Sequence, residues 1–385
     1  MEYLKRAWAE IDLDCLAENY RNYKKAAGCE IMCVVKADCY GHGDRAVVPF
    51  LEKELGVTKL AVSNIEEAKR LRDMGARSDI LILGYTPPEK ADELRQLDII
   101  QAVTELSYAK KLSENLSGGC VRVHIAIDTG MTRIGLHGGV EETASQAAEI
   151  ANIVGIRAEG LFTHFAVADS DDEGDISYTK EQIGKIKAVA ERLSEMGIDI
   201  PCVHYLNSAG GIYHNDGGSA FARLGIILYG LMPNFSLPVP MELKPVMSLK
   251  ATVAQVKEIG KGEYISYGRT FCSEKPMKLA TVTIGYADGY SRLLSNKGEV
   301  LIHGKRAKIV GRVCMDQLMC DVTGIDVSAG DTVTLIGKDG GEQITADELA
   351  SLYGTIGYEV VCLISKRVPR VIIRGGKVAD VLQTT

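Results

Sequence analysis

Between residues 31 and 230 short apolar runs alternate with amphipathic stretches, and this alternation limits the possible folds more than any other feature of the chain. The apolar runs cover residues 31–35, 59–63, 80–83, 99–103, 121–127, 158–163, 202–206 and 223–229 and are rich in Val, Ile and Leu. Runs of that length and composition read as strands buried on both faces. The stretches between them have helical periodicity. Ile65, Ala68 and Leu71 share one face of residues 65–74, and Ile183, Ile186, Val189 and Leu193 share one face of residues 178–196. Parallel strands need a crossover of a dozen or more residues, which these segments supply. Eight such units predict an α/β fold, a (β/α)8 TIM barrel. A doubly wound open sheet has the same local pattern and differs only in strand order. One more amphipathic helix is expected over Leu13–Ala27, ahead of the first strand.

The texture changes between Pro233 and Pro245, a stretch with four prolines. Beyond it, residues 246–258, 278–284, 299–313, 331–337 and 360–373 read as strands broken by Gly-rich turns. One helix is expected over residues 345–353, opened by Thr345 and Glu348 as a capping box. The predicted organisation is therefore a barrel over residues 1–240 and a β-rich C-terminal domain over residues 241–385.

Charge and cysteine usage narrow the function class. Lys and Arg number 44 against 51 Asp and Glu, a formal net charge of −7, so no global field attracts nucleic acid or an anionic membrane. The longest apolar runs fall far short of the roughly 20 residues a membrane helix needs. The opening Met-Glu-Tyr-Leu-Lys-Arg-Ala-Trp has no apolar secretion core, so a cytoplasmic location is expected. Ten cysteines are scattered without a Cys-x-x-Cys pair and read as small buried hydrophobes in a reducing compartment. No clustered Cys/His spacing points to a metal.

In a parallel barrel, chemistry gathers at the carboxyl ends of the strands. Lys36 directly follows the first apolar run, where poor solvation lowers an amine's pKa and makes it a nucleophile toward aldehydes. Other strand ends carry Asp128 to Arg133, Thr163-His164 and Asn207-Ser208, and the eighth run begins with Arg223. Packing alone does not account for that convergence.

These residues lie in a recognisable series of motifs. The first is Val35-Lys36-Ala37-Asp38-Cys39-Tyr40-Gly41-His42-Gly43. Asp128-Thr129-Gly130-Met131-Thr132-Arg133, Thr163-His164-Phe165-Ala166, Asn207-Ser208-Ala209 and Arg223-Leu224-Gly225-Ile226 follow. The second domain adds Ser266-Tyr267-Gly268, residues 284–289, residues 311–317 and Tyr358-Glu359-Val360. In this order, from Trp8 to Arg370, the chain closely resembles the alanine racemases, pyridoxal 5'-phosphate enzymes built of a barrel and a β-domain.

The resemblance implies a role for each residue. Lys36 holds the cofactor covalently and then acts as a base on one face of the amino acid. Tyr40, Ser208, Tyr358 and the backbone of Gly225 and Ile226 bind the phosphate, with Asn207 in the same motif. Arg223 faces the pyridine nitrogen and keeps it unprotonated, which shortens the life of the carbanion and suppresses transamination. Tyr267 is the second base, supplied by the other subunit of a homodimer and bonded to His164, which contacts Arg223. A free tyrosine has a pKa of about 10, so this role requires a stabilised phenolate. Arg133 and the Met315 amide hold the substrate carboxylate. Tyr286, Arg292, Arg312, Asp169 and Ile356 narrow the entrance channel. The implied reaction is interconversion of L- and D-alanine for peptidoglycan.

One position departs from the pattern. Many relatives carry a carbamylated lysine two residues before the Asp-Thr-Gly motif, and this chain has Ala126. Arg133 loses an anionic neighbour as a result, which an anion such as chloride or a water could replace. Other readings are a serine or broad-specificity racemase, a non-catalytic pyridoxal-phosphate carrier, which would lack the β-domain, and a basic amino-acid decarboxylase, whose C-terminal Cys signature is missing. Tyr358 leaves less room for a serine side chain than the smaller polar residue of related serine racemase domains.

Overall fold

The computed structural model describes residues 3–234 and 237–383. Eight parallel strands, Glu30–Val34, Lys59–Val62, Asp79–Ile82, Ile99–Val103, Val121–Ala126, Ile156–Phe162, Cys202–His204 and Phe221–Leu224, pair in strict chain order. The eighth pairs with the first, from Glu30 opposite Phe221 to Cys33 opposite Leu224. A single bridge between Leu206 and Ala222 links the seventh to the eighth. Sequential order and closure exclude the open doubly wound sheet, whose strand order reverses midway. Helices Leu13–Ala27, Ile65–Asp73 and Glu173–Glu195 form as their periodicity predicts, burying Ile65, Ala68 and Leu71, and Ile183, Ile186, Val189 and Leu193. Asp12 caps the first, accepting bonds from the amides of Asp14 and Cys15, and Asp172 caps the last.

The second unit is a ten-stranded, mostly antiparallel sheet assembly. Its central long strand, Met247–Ile259, pairs on one edge with Ala7–Asp12. That early strand also runs parallel to Arg370–Arg374. The barrel read over residues 1–240 thus gives up its first strand to the other unit. Hydrogen bonding on both edges and burial of Ala7, Trp8, Ala9 and Ile11 fix that strand inside the sheet.

Several sequence expectations are corrected. The run 223–229 stays extended only to Leu224. Gly225 breaks it, and Ile226–Tyr229 forms a 3-10 turn. The run 299–313 is a hairpin, Glu299–Ile302 against Lys305–Lys308, turned at His303 and Gly304, which both have positive φ (52° and 72°). The run 360–373 splits into helix Gly357–Cys362 and strand Arg370–Arg374, so the unit has a second helix besides Ala346–Tyr353. Short apolar runs do not distinguish a buried helical turn from a strand by pattern alone. At Thr345 only half of the capping box forms: its hydroxyl accepts the Glu348 amide at 2.9 Å, while the Glu348 carboxylate bonds Arg306. All ten cysteines are free, but only Cys33, Cys39 and Cys320 are buried, and Cys272 and Cys362 are exposed. Among the described residues no helix is long and apolar enough to cross a membrane.

Candidate active site

Lys36 stands two residues beyond the first barrel strand, at the start of an unusual turn. Ala37, Asp38, Cys39 and Tyr40 have φ between 53° and 55°, a left-handed turn without glycine. For L-residues this conformation costs roughly 1–2 kcal/mol each. The turn brings Lys36 and Tyr40 to the wall of one cavity of about 300 Å³. Gly41 follows with φ 80°, and a Cβ there would lie 2.3 Å from the Val361 carbonyl oxygen. The turn therefore packs directly against helix Gly357–Cys362, which carries Tyr358.

That cavity is lined by Lys36, Tyr40, His164, Asn207, Ser208, Arg223, Gly225, Ile226 and Tyr358, among others. One side of it is a set of neutral donors. Ser208 Oγ accepts the Gly225 N–H at 2.8 Å, which leaves the hydroxyl hydrogen free to turn into the cavity. Asn207 positions the adjoining turn, its Oδ1 accepting the Gly210 N–H at 2.7 Å. Ile226 opens a 3-10 turn, and its N–H meets no acceptor among the described residues. Burial pushes the pKa of Tyr40 and of Tyr358 well up, so both remain O–H donors at neutral pH. A Cβ on Gly225 would lie 2.9 Å from the Tyr40 hydroxyl and 3.6 Å from Ser208 Oγ, so only glycine leaves the space between these donors open. Neutral donors around an open cradle suit a phosphate dianion.

A second cavity of about 270 Å³ adjoins the first and shares Lys36, Leu83 and His164 with it. Arg133 lines this side, and no carboxylate pairs with it among the described residues. Asp128 shapes the loop that carries Arg133: its carboxylate accepts the amides of Gly130 and Thr132, both at 3.0 Å, and His137 at 3.1 Å. Ala126 packs with Ala102 and Phe162 in an apolar wall of the same cavity. Burial first, and the charge of Arg133 second, lower the pKa of Lys36 below that of a free lysine. The amine thus stands between a lobe suited to a phosphate and a lobe suited to a carboxylate.

Arg223 is buried at the cavity wall and bonds no carboxylate among the described residues. It donates to Thr163 O at 2.6 Å, His204 Nδ1 at 2.8 Å and His164 Nδ1 at 3.4 Å. Burial lowers its pKa to about 10, so it stays charged at neutral pH.

Three comparisons bear on this arrangement. The family model described as alanine racemase, N-terminal domain, matches residues 11–233, and that described as alanine racemase, C-terminal domain, matches residues 246–372. The chain belongs to the alanine racemase family. The alanine racemase of Clostridium perfringens is 44% identical over 384 residues, covering 98% of each chain. That of Clostridium tetani is 44% identical over 386 residues, covering 99% of this chain and 98% of the other. Among solved structures, alanine racemase from Bacillus anthracis with bound L-Ala-P superposes with a TM-score of 0.93 at 36% identity, covering 100% of this chain and 99% of that one. A histidine racemase from Leuconostoc mesenteroides superposes with a TM-score of 0.87 at 29% identity, covering 97% and 99%. The enzyme is therefore an isomerase of this family.

Within this racemase-family site, hydrogen-bond polarity settles the histidine protonation. A guanidinium only donates, so His204 and His164 accept at Nδ1. His204 then carries its proton on Nε2 and donates to His124 Nδ1 at 2.9 Å. His164 is held neutral, its pKa lowered to about 3 by burial and then by Arg223, Arg133 and Lys36. Its remaining ring proton sits on Nε2. His124 and His204 were not singled out from sequence, since a histidine inside an apolar strand looks like a satisfied core residue. Their signal is weak: His204 is the one polar residue of a short strand, and His124 shares its strand with Arg122. His124 also requires Gly160 on the next strand, where a Cβ would lie 2.5 Å from the imidazole ring.

These buried neutral rings set the acid limit of the fold. His42 and His124 have pKa values lowered to about 4, against 6.5 for a free imidazole. Unfolded histidines protonate below about pH 6.5 and the folded ones do not, so stability present at pH 7.5 is lost as pH falls from about 6.5 to 4. Each ring removes about 1.4 kcal/mol per pH unit across that window. Urea denaturation of the enzyme at pH 7.5 and pH 5.5 should show a drop of at least about 2 kcal/mol. Equal stabilities at the two values would contradict the neutral assignments.

Tyr267, Tyr286 and Met315 are not brought to Lys36 within one chain. They lie on the surface of the β-rich unit, 73%, 42% and 53% exposed. Tyr267 lines a separate cavity with Ser266, Cys314 and Gln317. Ser266 Oγ donates to the Arg312 carbonyl at 2.7 Å, which ties the Tyr267 turn to the 312–315 turn. The Met315 amide meets no acceptor among the described residues. Gly285 permits this packing, since a Cβ there would lie 2.3 Å from the Cys314 carbonyl oxygen.

Proposed function

We propose that the enzyme interconverts L- and D-alanine with pyridoxal 5'-phosphate, as a homodimer whose sites are shared between subunits, and supplies D-alanine for peptidoglycan in the cytoplasm. One observation carries this reading: Lys36 stands where a phosphate cradle and an unpaired arginine lobe adjoin. The bound cofactor supplies an electron sink that acidifies the substrate Cα–H. Tyr40, Ser208, Tyr358 and the amides of Gly225 and Ile226 would hold its phosphate, and Arg223 would stand by its ring nitrogen as a permanent cation. Arg133 takes the substrate carboxylate through paired N–H donors. Lys36, with its lowered pKa, accepts a proton from one face of the α-carbon.

The second face needs a second base, and Tyr267 supports that role. Its exposed position on a surface turn suits insertion into the site of a partner, together with the free Met315 amide. His164 offers an Nε2–H at the cavity wall, and a bond from that donor to the tyrosine oxygen would favour the phenolate. Tyr286 and Ile356, both exposed, would narrow the channel toward small substrates. With no acidic neighbour, Arg133 keeps its whole donor set for substrate, while its aim depends on the loop around Asp128.

The histidine racemase among the structural relatives makes side-chain selectivity the point to measure. Racemisation of L-alanine and L-serine in competition should favour alanine by at least about tenfold, because a hydroxymethyl group must displace space that Tyr358 occupies. Equal turnover would favour the broad-specificity reading. Native mass measurement in the same buffer should find the dimer, and activity from a monomer would reject the shared site.

A further inference from the structure

We infer that Arg370, a buried residue of the β-rich unit that touches neither cavity, is a positioning residue for cofactor capture: it holds the left-handed turn that aims Lys36 and Tyr40. This inference rests on the reading of Lys36 and Tyr40 as cofactor-holding residues. The turn from Ala37 to Tyr40 is disfavoured in every one of its residues, so something outside it must select it. Few contacts do so. Glu67 grips the start, one carboxylate oxygen accepting the Ala37 N–H at 2.7 Å and the other the Ser63 N–H at 2.7 Å. Asp38 accepts the Asp44 N–H at 2.8 Å. At the far end the Arg370 Nε donates to the Gly41 carbonyl at 3.0 Å.

The rest of the Arg370 guanidinium bonds Ser365 O at 2.7 Å, Val368 O at 2.6 Å and Ile364 O at 2.7 Å. These carbonyls follow the helix that carries Tyr358. A single planar fork therefore fixes the lysine turn and the Tyr358 helix to each other, and the strand Arg370–Arg374 that bears it lies beside the early strand Ala7–Asp12. A guanidinium buried on four carbonyls without a bonded carboxylate is costly for packing alone, and a hydrophobic residue would fill the space more cheaply. Its geometry serves the turn.

Arg370→Lys tests this, because a lysine keeps charge and stem but is a single point donor. Titration of the apo-protein with pyridoxal phosphate, followed by absorbance, reads affinity apart from turnover. The variant should retain its circular dichroism and native mass, lose about tenfold or more in cofactor affinity, and lose kcat with little change in the KM for alanine. Adding Ala37→Gly, which removes the cost of left-handed φ at one residue, should return part of the lost affinity, about threefold. Glu67→Gln, at a half-buried residue, should show the same loss and the same recovery at smaller amplitude, and it decides the matter if Arg370→Lys does not fold. Wild-type affinity in a folded Arg370→Lys protein, or no recovery with Ala37→Gly in either background, overturns the inference. A wild-type protein that fails to bind pyridoxal phosphate overturns the cofactor reading and this inference with it.

Discussion

Replacing Lys36 with alanine should lower racemisation by at least about a thousandfold, since the substitution removes both the cofactor's point of attachment and one of the two proposed bases. Borohydride reduction of the wild-type enzyme after incubation with pyridoxal phosphate should add the cofactor's mass to the chain, and peptide mapping should place it on Lys36. The alanine variant should gain none. The phosphate cradle does not involve Lys36, so the variant should still bind the cofactor weakly and reversibly. Cofactor mass on another lysine, or residual racemisation within tenfold of wild type, would remove Lys36 from its assigned place. The arrangement of its neighbours makes that outcome unexpected. Its lowered pKa comes from burial and from Arg133, both independent of any ligand. Covalent capture by the apo-enzyme should accordingly rise with pH through a midpoint below that of free lysine, because only the neutral amine attacks.

Tyr267→Phe should be the second large effect, and its signature is asymmetry. Removing the hydroxyl should slow α-proton exchange of L-alanine in deuterated water by about 10²–10⁴-fold, the range for loss of a general base. Exchange of D-alanine, assigned to Lys36, should fall far less. Equal loss from both enantiomers would sink the two-base scheme. Mixed dimers sharpen the test. If the tyrosine acts across the subunit boundary, combining a Lys36→Ala chain with a Tyr267→Phe chain should regenerate one intact site per heterodimer. If Tyr267 acts within its own chain, every site in that heterodimer is defective. The high exposure of Tyr267 and its placement in a cavity without Lys36 favour the first result.

Much of the enzyme was legible before any coordinates. Helix and strand periodicity depends on neighbours a few residues apart, so the barrel units and the helix Leu13–Ala27 could be read directly. Lys36, Ser208 and His164 stand out because each is polar at the end of an apolar strand, Arg223 because it opens one, and the resemblance to alanine racemases assigned their expected roles. The errors fell where short apolar runs carry no periodicity: the 3-10 turn at Ile226–Tyr229 and the helix Gly357–Cys362.

Tertiary structure alone decided three things. It placed Ala7–Asp12 in the sheet of the second unit, against strands more than 200 residues away in the chain. It paired His124 with His204 behind Arg223, and so determined which nitrogen of each ring carries the proton. It set Arg370 on the carbonyl of Gly41, 329 positions away, to hold a turn that none of its own residues favours. The division has one physical cause. A residue's preference for helix, strand or cap is a property of its covalent surroundings and is written locally. A buried cation, a neutral histidine or a left-handed turn is stable only through partners that folding brings from elsewhere.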